Sequence, residues 1–144
     1  MRIVLDSNIL VRAFAKSHGL AYELLQAVLD GSHVLLLSNE MLAEVSRVLR
    51  YPRFAMDHGE EEDAVYEFIG WLRHSAELIP LNPFTLAPTR DTNDVIVLQT
   101  ALSGEADVLC TCDGDFFAPP ASIFLASRGI AVLTDAQLMQ RLKA

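Results

Sequence analysis

Residues 2–10 read Arg-Ile-Val-Leu-Asp-Ser-Asn-Ile-Leu, and the pattern of the sequence changes at Asp6. Residues 2–5 form a short, mainly apolar run with branched side chains, which predicts a buried β-strand. Residues 7–15 favour a helix that begins directly after this strand. A buried strand joined tightly to a helix is the repeating unit of parallel α/β folds.

The same alternation continues along the chain. Further strands are predicted over residues 33–37, 77–81, 106–111 and 130–133, and residues 83–90 are expected to form a loop. Further helices are predicted over residues 20–29, 39–50, 60–75, 92–103 and 136–142, with stop signals at Gly31, at Tyr51 with Pro52, and at Gly104. This alternation of strands and helices predicts one α/β domain over residues 1–144, a three-layer α/β/α fold with a central parallel sheet of about five strands.

The composition fits a single globular domain. The chain has 144 residues, of which 51% are hydrophobic, so it can bury a real core and disorder is excluded. No apolar run reaches the roughly 18 residues of a membrane span, and Asp6 interrupts the N-terminus too early for a signal peptide. We therefore expect a cytoplasmic protein without a membrane segment.

The cysteines and histidines do not form a zinc motif. Cys110 and Cys112 are the only cysteines, and the four histidines are scattered. A C-x-C pair in an apolar strand cannot supply four zinc ligands, so both cysteines are expected to be core or near-core thiols.

Two aspartates follow predicted strands. Asp6 ends the first strand and Asp113 follows the strand over residues 106–111. The carboxyl ends of parallel strands meet at the edge of the sheet where ligands bind, so both residues are candidates for a functional site. Either could instead be a turn or helix-capping aspartate.

Three further acidic residues are candidates for the same edge. Asp94 shares a helical stripe with Leu98 and Ala101, so it should face the sheet, where a carboxylate must be paired, protonated or on a metal. Alternatively, Asp91 and Asp94 both serve the helix terminus. Glu44 lies at the margin of the apolar face of its helix and could be an ordinary surface residue. Asp115 could bind a metal through water or be a turn residue.

Four carboxylates cannot share a small pocket unless cations neutralise them. Asp6, Glu44, Asp94 and Asp113 all approach the same sheet edge, and neither histidine nor cysteine lies among them. Oxygen ligands suit hard divalent cations, which predicts Mg²⁺ or Mn²⁺. Such sites commonly serve phosphodiester cleavage.

Four motifs in series resemble those of the PIN-domain nucleases. They are Val-Leu-Asp-Ser-Asn-Ile-Leu at residues 4–10, Ser-Asn-Glu-Met-Leu-Ala-Glu at 38–44, Asp-Thr-Asn-Asp at 91–94 followed by Ala101, and Ala-Asp-Val-Leu-Cys-Thr-Cys-Asp-Gly-Asp-Phe at 106–116. The resemblance covers nearly the whole chain. Two departures leave the acidic positions untouched: Cys112 replaces a commonly polar or charged residue, and Thr92-Asn93 stands where a proline is frequent.

The resemblance implies a metal-dependent ribonuclease with an acidic core, and it implies roles for further residues. The acidic core would be Asp6, Glu44, Asp94 and Asp113, with Asp115 as an auxiliary metal ligand, and the auxiliary polar residues would be Asn8, Ser38, Asp91 and Thr111. The chain is most similar to VapC-like toxins of bacterial toxin–antitoxin pairs, which implies an RNA substrate, a cognate antitoxin and a homodimer.

The charge of the chain opposes simple RNA binding. Nineteen acidic against eleven basic residues give a net charge of −8, whereas contacts to phosphate need lysine and arginine. Several arginines lie near the acidic motifs in sequence and could touch phosphates, or they could be solvated surface residues. These candidates are Arg12, Arg47, Arg50 and Arg90, with Arg53 continuing the spacing of three.

Three other classes of protein are weighed against this hypothesis. A haloacid dehalogenase-like phosphatase also begins with an apolar strand that ends in Asp, but it needs a second Asp where this chain has Asn8. That phosphatase and a response-regulator receiver domain both need a lysine near the site, and the only lysines here are Lys16 and Lys143. A non-catalytic PIN-fold binding module would have no need for the full set of carboxylates.

Overall fold

A computed structural model describes residues 1–51, 62–82 and 92–144, with the backbone alone at residues 92 and 93. The strands are β1 (Arg2–Leu5), β2 (Val34–Leu37), β3 (Glu77–Leu78), β4 (Val108–Cys110) and β5 (Ala131–Leu133). The α-helices are α1 (Ser7–Ala15), α2 (Leu20–Asp30), α3 (Asn39–Leu49), α4 (Glu62–Ser75), α5 (Thr92–Ser103), α6 (Ala121–Ser127) and α7 (Asp135–Lys143). A 3₁₀ helix over Gly114–Phe117 follows β4.

The five strands form one parallel sheet in the order β3-β2-β1-β4-β5. The chain builds the sheet outward from β1 to β3, then returns to the other side of β1 to add β4 and β5. Such a reversal leaves a crevice beyond the carboxyl ends of the two strands at the switch point, here β1 and β4. The residues that follow these strands therefore meet in one place.

Helices cover both faces of the sheet. Right-handed crossovers, the rule for parallel strands, would place α1 to α4 on one face and α5 and α6 on the other. The contacts agree for the first layer, since α1 packs against α2 and α3, α3 packs against α4, and α7 packs against α2. Ile3, Val4 and Leu5 of β1 are fully buried, as expected for a central strand between two helical layers. The predicted three-layer α/β/α fold with a five-stranded parallel sheet is confirmed.

The structure differs from the predicted elements mainly after β4. The 3₁₀ helix and α6 were not predicted, and α6 follows two prolines, Pro119 and Pro120. Proline is compatible with a helix start, and Pro120 is the N-cap of α6. The strand predicted over residues 77–81 contains only Glu77–Leu78. Residues 60 and 61 of the predicted fourth long helix, Pro52 and the predicted loop over 83–90 lie outside the described residues.

The helices of the described residues are too short to cross a bilayer. The longest of them, α4, has 14 residues. In the described part of the chain, no helix combines the length and the apolar character that a membrane span requires.

Candidate metal centre at the carboxyl ends of β1 and β4

Asp6 stands where β1 becomes α1. Its backbone N–H donates to the carbonyl of Cys110 at 2.9 Å, so Asp6 still belongs to the edge formed by β1 and β4. Its position is the N-cap of α1, but its side chain makes no capping hydrogen bond. The carboxylate instead accepts a 2.7 Å hydrogen bond from Thr111 Oγ1 and is 8% exposed. Helix capping therefore does not explain this aspartate.

Thr111 connects the ends of the two strands. Its side chain is fully buried, and its hydroxyl donates to Asp6 while accepting the backbone N–H of Asp113 at 3.0 Å. The carboxylate Oδ1 of Asp113 in turn accepts the backbone N–H of Asp115 at 2.9 Å and caps the 3₁₀ helix. Asp113 is therefore a capping residue, as the alternative interpretation predicted, but capping uses only its Oδ1 atom and leaves Oδ2 out of this contact.

Three carboxylates converge beside this strand end. One carboxylate oxygen from each of Asp94, Asp113 and Asp115 lies within 4.8 Å of the other two. Asp94 is half-buried in the first turn of α5, whereas Asp115 is exposed. Three negative charges at this separation repel one another, and a cation among them would remove that repulsion.

Glu44 reaches the same region from α3. It is half-buried, and its Oε2 accepts a 3.0 Å hydrogen bond from Ser7 Oγ. Ser7 is buried and directly follows Asp6, so the contact holds Glu44 beside the end of β1. Asp6 and Glu44 are not members of the trio that contains Asp94, but hydroxyl groups link each of them to this sheet edge.

Burial shifts the acidity of Asp6. Desolvation raises the pKa of its carboxyl group, and the charge of Asp113 raises it further. The hydrogen bond from the Thr111 hydroxyl, the adjacent Ser7 backbone N–H and the charge of Arg12 oppose this shift only in part. The net pKa of Asp6 is raised, so ionised Asp6 is costly unless a positive charge is nearby.

A cleft of about 460 Å³ opens at this edge, and its lining combines acidic, basic and apolar side chains. The lining residues are Asp6, Asn8, Ile9, Val11, Arg12, Cys112 and Asp113. Arg12 lines the cleft and forms an ion pair with Asp135 of α7 at 3.2 Å. Its guanidinium also lies 3.7 Å from the sulfur of Cys112.

The expectation for the two cysteines was half right. Cys110 is fully buried in β4, but Cys112 is exposed at the cleft. The strand ends at Cys110, so Cys112 no longer follows the alternation that would have turned it into the core.

The remaining candidate residues that the structure describes do not line the cleft. Ser38 is fully buried as the N-cap of α3, where its hydroxyl accepts the Met41 backbone N–H at 3.2 Å. Arg47 is exposed, and Arg50 donates to Glu62 at 2.5 Å. Arg53, Arg90 and Asp91 lie outside the described residues.

Sequence reasoning missed two residues at this edge, Ser7 and Asp135. Ser7 could have been noticed because it directly follows the strand-end aspartate, where its side chain starts from the same sheet edge. No pattern in the sequence pairs Asp135 with Arg12, since the two residues are 123 positions apart.

Comparison with known proteins identifies a family and a similar solved structure. A sequence model of the PIN domain matches residues 2–115. Among solved structures, the crystal structure of VapBC2 from Rickettsia felis, bound to a DNA fragment from their promoter, contains a similar chain. The TM-score is 0.60 at 15% sequence identity, over 93% of this chain and 98% of that chain, and the likeness is therefore one of fold. No curated protein matches this sequence.

Proposed function

Because the chain belongs to the PIN-domain family, we propose that it is a ribonuclease that hydrolyses RNA phosphodiester bonds with the aid of Mg²⁺ or Mn²⁺. The observation that supports this most is the convergence of Asp94, Asp113 and Asp115 within 4.8 Å at the switch point of the sheet. Open α/β sheets bind their ligands at this point.

The donor atoms of the site fit a hard divalent cation. The trio offers carboxylate oxygens only, and such ligands suit Mg²⁺ and Mn²⁺ better than zinc. Asp6 and Glu44 add two further carboxylates at the same sheet edge. In this proposal Asp6, Glu44, Asp94 and Asp113 are the catalytic and metal-binding residues, and Asp115 is an additional metal ligand.

A bound cation would supply charge neutralisation for the phosphodiester and increase the acidity of a water molecule. The residues of the chain hold the site in shape for this chemistry. Thr111 orients Asp6 through its hydroxyl, and the Asp115 backbone N–H orients Asp113. Ser7 orients Glu44 in the same way. Fixed carboxylates need little reorganisation when the substrate arrives.

Arg12 is the best-supported contact for a phosphate group. It lines the cleft beside Asp6 and Asp113, and its side chain is 47% exposed. Asn8 is exposed on the same lining. Arg47 is exposed on α3 and is kept as a second RNA contact, whereas Arg50 is less suited because it already pairs with Glu62.

We also propose that the enzyme is the cytoplasmic toxin of a toxin–antitoxin pair and forms a homodimer. The fold likeness to a chain of VapBC2 supports an antitoxin partner. In addition, α1, α2 and α4 line an apolar cleft of about 430 Å³, where Tyr22 and Trp71 are partly exposed. An exposed apolar surface of this kind suits a protein partner.

The test of the enzymatic proposal is a cleavage assay on single-stranded and hairpin RNA. Purified protein should cleave RNA with Mg²⁺ or Mn²⁺ and lose the activity in EDTA. Asp113→Asn should be inactive, while Asp30→Asn, an exposed change at the end of α2, should retain activity. Cleavage that survives thorough chelation would refute the metal mechanism.

The homodimer is tested separately by light scattering. The chain has a mass of 15.9 kDa, and the measured mass should be about twice this value at micromolar concentration. A mass that stays at the monomer value over a wide concentration range would contradict the proposed dimer.

A further inference from the structure

Two hydroxyl groups meet in the core between α3 and α5. Ser38 and Thr100 are both fully buried, and Thr100 Oγ1 lies 2.9 Å from Ser38 Oγ. Thr100 Oγ1 also lies 2.8 Å from the carbonyl of Ile96, and Ser38 Oγ accepts the Met41 N–H at 3.2 Å. Each hydroxyl has one hydrogen, so all contacts are satisfied when Ser38 donates to Thr100 and Thr100 donates to Ile96.

Several residues near this pair along the chain are apolar. Leu37, Met41 and Leu98, neighbours of the pair along the chain, are themselves fully buried. A buried O–H without an acceptor is costly, and separating the two side chains would remove the Thr100 oxygen that accepts from Ser38. The pair therefore joins the start of α3 to the last turn of α5.

The end of α5 packs closely against β2. A Cβ at Gly104, directly after the helix, would lie 2.9 Å from the Thr100 carbonyl and 3.0 Å from Leu36 of β2. The absence of a side chain at Gly104 lets this end of α5 lie close to β2, and the hydroxyl contact one turn earlier adds a contact between α5 and α3.

Both helices contribute carboxylates to the site. Asp94 precedes Thr100 by six residues on α5, and Glu44 follows Ser38 by six residues on α3. At a rise of about 1.5 Å per residue, each carboxylate lies roughly 9 Å along its own helix from the hydroxyl pair. A helix moves nearly as a rigid body, so a displacement at the pair reaches both carboxylates.

We propose that Thr100 is a positioning residue, whose buried hydroxyl pairs with Ser38 to hold Asp94 in register with Glu44. The inference rests on the proposed function, since it concerns the same carboxylates. Misplacing a catalytic group by about 1 Å can lower a rate on the order of 10²-fold, and loss of an outer partner typically lowers metal affinity or activity about 10–100-fold.

The test compares Thr100→Val, which removes the hydroxyl and keeps the shape, with Thr100→Ser, which keeps the hydroxyl. Val28→Ala is the control, because Val28 is fully buried on α2, and its truncation lowers stability without touching the pair. Mn²⁺ affinity is measured by calorimetry on the full chain, and kcat and KM are measured on RNA.

We expect Thr100→Val to bind Mn²⁺ about 10-fold or more weakly and to lose kcat by about 10–100-fold, with KM for RNA within about twofold of wild type. Thr100→Ser should restore both quantities, and Val28→Ala should bind Mn²⁺ like the wild type well below its melting temperature. Should the valine variant fail to fold, Thr100→Ala removes the same hydroxyl without adding bulk.

Three outcomes overturn the inference: wild-type Mn²⁺ affinity and kcat in Thr100→Val, equal losses in Val28→Ala, or no rescue in Thr100→Ser. The proposed function fails separately if the wild type cleaves no RNA. In that case a loss of Mn²⁺ affinity confined to Thr100→Val and Thr100→Ala still supports the positioning role. A wild type that binds no Mn²⁺ overturns both.

Discussion

Replacing Asp94 with asparagine separates a metal ligand from a structural residue. The substitution preserves the shape of the side chain and removes one of the three charges that lie within 4.8 Å of one another. We expect RNA cleavage to be abolished or sharply reduced, while the metal-free protein becomes slightly more stable. The two effects have opposite signs because the same charge that binds a cation repels its neighbours when no cation is present.

The size of the stability change follows from the geometry. Two charges 4.8 Å apart repel by about 3.5 kcal/mol at an effective dielectric of ~20 and by about 0.9 kcal/mol in water. Because Asp115 is exposed and Asp94 half-buried, the lower figure applies, and removing Asp94 eliminates two such pairs. Asp94 also lies in the first turn of α5, where losing its charge costs about 0.3–1 kcal/mol of helix-dipole stabilisation. The net gain is about 1 kcal/mol, which raises the melting temperature by roughly 2–4 °C.

The assay is thermal melting of wild type and Asp94→Asn in EDTA and in Mg²⁺, beside RNA cleavage. Asp63→Asn is the matched control, because Asp63 is an exposed aspartate in the first turn of α4 and loses only the dipole contribution. Mg²⁺ should raise the wild-type midpoint more than that of Asp94→Asn, since a cation that binds only the folded state stabilises it in proportion to its affinity. Asp63→Asn should melt slightly lower in EDTA and keep its response to Mg²⁺.

Two results would refute this reasoning. An active Asp94→Asn would mean that the side chain only supports the helix terminus, because asparagine serves that role nearly as well. A metal-free Asp94→Asn that melts several degrees below Asp63→Asn would mean that Asp94 holds a buried pair, whose partner is left unsatisfied.

Three further predictions concern the surroundings of the site. Thr111→Val should lower kcat about 10–100-fold through loss of the hydrogen bond to Asp6, and Thr111→Ser should retain most of the activity. A valine variant as active as the wild type would show that this hydrogen bond is dispensable. A thiol reagent at pH 7.5 should label exposed Cys112 and spare Cys110. The reason is that burial, and to a smaller extent the neighbouring Cys112, raises the pKa of Cys110 to about 12. Mass spectrometry of the native protein that finds Cys110 labelled first would contradict this prediction. Burial alone would raise the pKa of Asp135, but hydrogen bonds and Arg12 outweigh burial and leave the pKa below 3.8. Asp135→Asn should therefore lower the melting temperature at pH 7. The difference in melting temperature from wild type should shrink as the pH falls below 3.8.

The sequence predicted the elements whose pattern is local. The apolar run at residues 2–5 and the helix after it needed no information from elsewhere, since burial on both faces and helical spacing are visible in one segment. Parallel strands end at a common edge, so Asp6 and Asp113 could be placed together before their contact through Thr111 was known. The helical wheel likewise indicated which face of α5 would bear Asp94.

The contacts that orient these residues could not be predicted. Ser7 and Glu44 are 37 positions apart, and Ser38 and Thr100 are 62 apart. A hydroxyl in a sequence does not reveal which distant group it will meet, because that depends on how the helices are rotated and shifted against the sheet. Cys112 was misassigned for a related reason: the side-chain alternation of a strand ends with the strand, and no residue pattern marks the end of β4 at Cys110.

The acidic character of the chain is consistent with an RNA substrate if cations supply most of the attraction. A net charge of −8 gives no general attraction for a polyanion, so affinity must arise locally. At the cleft, Arg12 is held by Asp135 beside Asp6 and Asp113, which keeps a positive group near the proposed metal site without cancelling the carboxylates. A cation bound to those carboxylates would reverse the sign of the local charge that a phosphate meets. On this argument the metal is required for substrate binding as well as for the chemical step, and RNA affinity should follow the occupancy of the acidic site.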